Sequence, residues 1–124
     1  MSFSLLMADD SKMSRIKMKK IVSSFIADIE ISEAANGKQA LEICRSKKID
    51  LFFLDLNMPE VDGYQVLRAL KAENISVPVI VVTANYQRGS IAEVEEIGGS
   101  IAFLRKPPTP EMIEQTLKEN NFIA

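Results

Sequence analysis

The sequence predicts an alternating α/β domain built on a parallel sheet, and two observations predict it. Short apolar runs recur at Phe3–Ala8, Ile29–Ala34, Leu51–Leu54, Val79–Thr83 and Ser100–Leu104, and a segment of helical character follows each. The runs are also too continuous for half-exposed antiparallel strands. Leu51-Phe52-Phe53-Leu54 and Val79-Ile80-Val81-Val82 read as strands buried on both faces, as central parallel strands are.

Each element has its own local warrant. After the first run, Met18, Ile21, Val22 and Phe25 form a stripe at helical spacing that would face the sheet. The second helical segment carries Ala40, Leu41 and Cys44, where a small buried thiol is the ordinary role. The third starts with Asp62 before Gly63 and presents Val66, Leu67 and Leu70. For the fourth, Ser90 with Glu93 reads as a capping box. The fifth begins at Thr109-Pro110-Glu111, with proline at the first helical position, and ends near Asn120.

Composition narrows the function. The chain has 124 residues, 47% hydrophobic and 26% charged, which suits one soluble domain of ordinary size. We expect that domain to span 1–124 with no output domain. Fifteen basic residues face 17 acidic ones, so the net charge of -2 gives no footprint for nucleic acid or an anionic membrane. With no histidine, histidine catalysis and a histidine metal site are excluded, and any phosphohistidine must belong to a partner. The single cysteine excludes an internal disulfide. Phe3–Ala8 lacks a basic flank and is followed by two aspartates, unlike a signal peptide or membrane span, so the expected location is cytoplasmic.

In open α/β sheets, ligands gather beyond the carboxyl ends of the strands. Asp9 and Asp10 follow the first strand, Asp55 closes the third, Thr83 ends the fourth, and Lys106 with Pro107 follows the fifth. Three converging carboxylates repel one another unless a cation is present. All-oxygen donors suit a hard cation, above all magnesium, and a divalent ion would offset the roughly -3 of the aspartates and +1 of the lysine. Asp55 then makes a reasonable nucleophile for phosphoryl transfer, with Lys106 holding phosphoryl oxygens and the Thr83 hydroxyl donating to them. Taken singly, each piece has an ordinary reading: Asp9-Asp10 as turn chemistry, Asp55 as a turn former, Thr83 as a strand residue, Lys106-Pro107 as loop. Their joint placement at the strand ends is what argues for chemistry.

Asp9-Asp10, the run Asp55-Leu56-Asn57-Met58-Pro59-Glu60-Val61-Asp62-Gly63, Thr83-Ala84 and Lys106-Pro107 together resemble the response regulator receiver family of bacteria and archaea, over the whole chain. The resemblance implies a flavodoxin-like (βα)5 three-layer sandwich with a five-stranded parallel sheet in order 2-1-3-4-5. It implies magnesium held by Asp9, Asp10, Asp55 and the Asn57 backbone carbonyl, with Asp10 the closer ligand of the pair, and a lysine-proline peptide that is often cis. It also implies a switch through Thr83 and the aromatic Phe103, and a phosphoryl lifetime set in part by Asn57 and Asn85. Gly98-Gly99 departs from the family's usual Gly-Ala before the fifth strand.

The function implied is that of a stand-alone response regulator in a two-component phosphorelay. It would take a phosphoryl group on Asp55 from a partner histidine kinase, histidine phosphotransfer domain or small phosphodonor, and catalyse only its own phosphorylation and dephosphorylation. A downstream protein would read the face made by the fourth helix, fifth strand and fifth helix. Thr83-Ala84-Asn85-Tyr86-Gln87 looks like chemotaxis-type receivers, which are served by a separate phosphatase. Two alternatives are a receiver-like interaction module that works without phosphorylation, and a haloacid-dehalogenase-type hydrolase. The latter wants an aspartate where this chain has Asn57. Lys12, Arg15, Lys17, Lys19 and Lys20 give the first helix a basic side that reads as a solvated face rather than a kinase contact.

Overall fold

The computed structural model describes residues 2–84 and 86–124. Its elements alternate without exception: β1 (Phe3–Ala8), α1 (Lys12–Phe25), β2 (Ile29–Ala34), α2 (Gly37–Ser46), β3 (Leu51–Leu54), α3 (Gly63–Ala72), β4 (Val79–Thr83), α4 (Arg88–Ile97), β5 (Ser100–Arg105) and α5 (Pro110–Glu119). All strand pairs are parallel, in the order β2-β1-β3-β4-β5. The expected topology is therefore the observed one. Four strands have the bounds read from their apolar runs, and β5 runs one residue further, to Arg105.

The continuous apolar runs are explained by helices on both faces. Because strand side chains alternate, Leu6, Phe52, Leu54, Val79 and Val81 point to a core shared with α2, α3 and α4. Leu5, Met7, Leu51, Phe53, Ile80 and Val82 point the other way, to a core shared with α1 and α5. Met18 and Val22 from α1 and Ile113 and Leu117 from α5 complete that second layer. Between β4 and β5 the register shifts after Val79, so that Ile80 pairs with Ala102 and Ile101 is skipped. That one-residue shift decides which β5 side chains face which layer. It leaves Phe103 against the α2–α4 core and Ala102 and Leu104 against the other.

Helix starts follow local capping chemistry. Ser11, Asn36, Asp62 and Thr109 each accept a backbone N–H from the first turn, and Asp62 with Gln65 forms a full capping box. The fourth helix corrects the sequence reading. It begins at Arg88, with Gln87 as an N-cap that makes no side-chain bond. Ser90 lies buried inside the first turn, and Glu93 pairs with Arg68 of α3 at 2.7 Å. A capping box at Ser90 is thus absent because Ser90 is already the third residue of the helix. At the other end of α4, Gly98 and Gly99 both have positive φ, 88° and 91°. Alanine, the family's usual second residue, would be strained at Gly99, and here glycine removes that strain.

Cys44 is buried beside Ala40 and Leu41, as its helical spacing suggests. Burial pushes its thiol up to about 11, against the pull of Arg45. Relative to a thiol at its ordinary 9.0, the thiolate fraction near neutrality falls about a hundredfold. The native protein is expected to react with a thiol-specific disulfide reagent at least that much more slowly than the urea-unfolded chain. Equal rates would show that the α2–sheet interface opens freely.

Candidate functional site

The parallel sheet brings the carboxyl ends of β1, β3, β4 and β5 to one edge, and the last rung of each ladder fixes a polar residue there. The Asp9 N–H donates to the Ala34 carbonyl at 3.0 Å, the Asp55 N–H to the Ala8 carbonyl at 3.0 Å, and the Lys106 N–H to the Thr83 carbonyl at 2.9 Å. Backbone pairing therefore aligns these residues independently of their side-chain contacts.

Their side chains converge. Carboxylate oxygens of Asp9, Asp10 and Asp55 lie within 4.8 Å of one another. Asp9 and Asp55 are buried, while Asp10 sits exposed at the rim. The Lys106 ammonium bridges the two buried acids, 2.5 Å from Asp9 Oδ2 and 2.9 Å from Asp55 Oδ2. Its peptide bond to Pro107 is cis, as the resemblance implies. The other Asp55 oxygen, Oδ1, accepts the Asn57 N–H at 3.1 Å. The Asn57 side-chain amide reaches toward the Thr83 hydroxyl at 3.5 Å, and Thr83 itself is fully buried.

The electrostatics follow from crowding. Burial raises the Asp55 carboxyl above its ordinary value, opposed by the hydrogen bonds from Lys106 and the Asn57 N–H, with Asp9 adding like-charge repulsion. Burial pulls Lys106 down, but its bonds to Asp9 and Asp55 outweigh this and hold it above the ordinary lysine range. Oxygen-only donors, two of them buried and mutually repelling, make a set that fits a hard divalent cation.

Beside Asp55 a crevice of about 140 Å³ opens between α1 and the turn at Lys106–Pro108, walled by Asp9, Arg15, Asp55, Lys106 and apolar side chains including Met13 and Met18. Arg15 is where the structure departs from the sequence reading. Instead of lying on a solvated basic face, it donates to the Asp9 carbonyl and, at 2.9 Å, to Glu33 of β2. Lys19 reaches the other Glu33 oxygen at 3.1 Å while its side chain stays 43% exposed, and Lys12, Lys17 and Lys20 are exposed, as expected of a solvated face. Helical periodicity alone does not reveal this partnership. The strand order 2-1 does, since it sets Glu33 in register with Met7, two residues before Asp9.

On β5, Phe103 is half-buried and meets Tyr86 edge-on, with ring centroids 5.2 Å apart, while the Arg105 guanidinium lies over the Tyr86 ring at 4.9 Å. Asn85 falls outside the described residues. Among the described residues, no helix is long and apolar enough to cross a membrane.

Comparison with known proteins bears on the family and the fold. The family model for the response regulator receiver domain matches residues 5–118. The chain is 31% identical over 121 residues to the sensor protein EvgS of Escherichia coli O157:H7, covering 98% of this chain and 10% of that protein. It is 29% identical to sporulation initiation phosphotransferase F of Bacillus subtilis, covering 96% of this chain and 94% of the relative. Among solved structures, the CheX-CheY-BeF3-Mg complex from Borrelia burgdorferi aligns with a TM-score of 0.86 at 24% identity, over 98% of this chain and 90% of that one. The chain spans between 10% and 53% of the first curated relatives it matches.

Proposed function

The chain belongs to the response regulator receiver family, and from that premise we propose that it is a phosphorylation-controlled signalling switch whose phosphoryl acceptor is Asp55. One observation carries the reading: Asp9, Asp10 and Asp55 converge at the sheet edge with a single ammonium, Lys106, bridging the two buried acids.

In this reading Asp9, Asp10, Asp55 and the Asn57 carbonyl would hold magnesium. Once bound, that ion offsets the carboxylate charge and the charge on the incoming phosphoryl oxygens. An Asp55 carboxylate oxygen attacks phosphorus and forms an acyl-phosphate bond, while the donor's P–N or P–O bond breaks and the leaving group keeps the electron pair. Donors are a partner's phosphohistidine or a small acyl phosphate. Lys106 follows the charge from the carboxylate to the phosphoryl group, and the Thr83 hydroxyl donates to a phosphoryl oxygen. Water later cleaves the acyl phosphate and regenerates Asp55, with Asn57 and Asn85 influencing the rate.

The readout is a protein-binding face formed by α4, β5 and α5. Movement of Thr83 toward the phosphoryl group lets Phe103 turn inward, and Tyr86 and Arg105, stacked on it in series, shift with it. A histidine kinase or histidine phosphotransfer domain upstream, a separate protein target downstream and a separate phosphatase complete the proposed circuit.

Incubation with acetyl phosphate and magnesium is expected to add the mass of one phosphoryl group, seen by intact-protein mass spectrometry, and chelation is expected to suppress it. Unchanged uptake after chelation would remove magnesium from the mechanism, and no uptake from any phosphodonor would favour a phosphorylation-independent module. In the same assay followed over time, alanine at Asn57 or Asn85 is expected to change the decay rate. Unaltered decay in both variants rules out their role in lifetime.

A further inference from the structure

We propose that Arg15, anchored by Glu33, is a positioning residue that fixes the Asp9–Asp10 backbone so that both carboxylates face a divalent cation. The inference rests on the magnesium reading above and adds to it a residue from outside the acid cluster.

Asp9 is held at every polar atom. Its N–H donates to Ala34, its Oδ1 accepts the Ser11 N–H at 2.8 Å, its Oδ2 meets Lys106, and its carbonyl accepts the Arg15 guanidinium. The last of these matters most for Asp10, because that carbonyl belongs to the peptide joining the two aspartates. Asp10 is exposed, and its carboxylate accepts no hydrogen bond from the described residues. The aim of that carboxylate therefore depends on the backbone that carries it, and Arg15 sets the plane of that backbone.

Arg15 is suited to the task by its own restraint. Its side chain is only 14% exposed, its Nε is bound to Glu33 Oε1, and Glu33 Oε2 is taken by Lys19. Burial pushes Glu33 up, yet its bonds from Lys19 and Arg15 outweigh that and hold it below the ordinary range, so it stays ionised. A rigid guanidinium fork that bonds a carboxylate with one N–H and a carbonyl with another fixes an angle that a lysine cannot. Glu33 also offsets part of the charge of Arg15, which reduces the repulsion the fork presents to an incoming cation.

The sign of one measurement separates positioning from simple electrostatics. A guanidinium beside three carboxylates repels a cation, so on charge alone its removal strengthens magnesium binding. Positioning predicts the reverse. Calorimetric titration of the full 124-residue chain with magnesium is expected to show binding about tenfold or more weaker in Arg15→Met. Arg15→Lys keeps the charge but not the fork, and is expected to lose a smaller factor. Circular dichroism melts establish that each variant is folded. If Arg15→Met does not fold, the lysine variant carries the test, and wild-type affinity in it overturns the proposal. Equal or tighter binding by folded Arg15→Met overturns positioning while leaving the magnesium site intact. A wild-type chain that binds no magnesium overturns the site and the positioning role together.

Discussion

Replacing Asp55 with asparagine is expected to abolish phosphoryl uptake from acetyl phosphate and, in magnesium-free buffer, to raise the melting temperature. The amide keeps the shape of the carboxylate but has a single oxygen, so only one of the two donors, the Asn57 N–H or the Lys106 ammonium, keeps its acceptor, and no anionic oxygen remains to attack phosphorus. The stability gain comes mainly from removing a buried charge, with relief of like-charge repulsion added to it. Asp9 and Asp55 are both buried, and their carboxylates lie within 4.8 Å of each other and of Asp10. Like charges at such a distance repel by about 3–4 kcal/mol at an effective dielectric near 20, and Lys106, 2.9 Å from Asp55 Oδ2, returns about 6 kcal/mol by the same rule, so burial decides the balance. The balance tips against the ionised form, since burial and Asp9 together hold the Asp55 carboxyl above its ordinary value despite Lys106. Each kcal/mol gained is worth about a few degrees in Tm for a domain of this size. Magnesium should reverse the order, raising the wild type more than the variant because Asp55 is then a ligand. Residual uptake in the asparagine variant would move the acceptor elsewhere. A lower Tm would mean that the Lys106 pairing outweighs the repulsion.

The sequence is a good guide to this fold where burial is symmetric. Leu51–Leu54 and Val79–Thr83 are apolar on both faces because both faces are covered, so their bounds coincide with the runs. The edge strand β5 is less decisive. Its partly exposed residues include Arg105, and the skipped Ile101 breaks the alternation, so its end was one residue off. The start of α4 has no local signal, because Gln87 makes no side-chain cap and the capping-like Ser90 is a buried residue inside the first turn. The acid cluster and Lys106 were legible because a parallel sheet must place the ends of its strands together. Arg15 was not, since its partners Glu33 and Asp9 belong to other elements, and helical periodicity describes only the face of its own.

Substituting alanine for Gly63 should damage stability and phosphorylation together, and this coupling is the sharper test of how the site is held. Gly63 opens α3, yet it packs against the segment that leaves β3. A Cβ there would lie 2.6 Å from the Asp55 carbonyl oxygen and 2.6 Å from the Leu56 Cα. Both are backbone atoms, so neither can swing aside. The Gly63 N–H also donates to the Leu56 carbonyl at 3.0 Å, which ties the start of α3 to the acceptor loop. Either α3 must retreat from the sheet, loosening the packing of Val66, Leu67 and Leu70, or the Asp55–Leu56 backbone must move. Overpacking of this kind costs about 1–3 kcal/mol. Because Asp55 Oδ1 is set by the Asn57 N–H two residues on, displacement of Leu56 also turns the carboxylate away from Lys106. A misplacement of about 1 Å can cost on the order of a hundredfold in rate. Urea unfolding should show the loss of stability, and the initial rate of phosphoryl uptake at a urea-free temperature well below Tm should fall in parallel. A folded Gly63→Ala protein with wild-type uptake would mean that α3 yields and the acceptor loop does not, placing the rigidity of the site in the β1–β3 ladder alone.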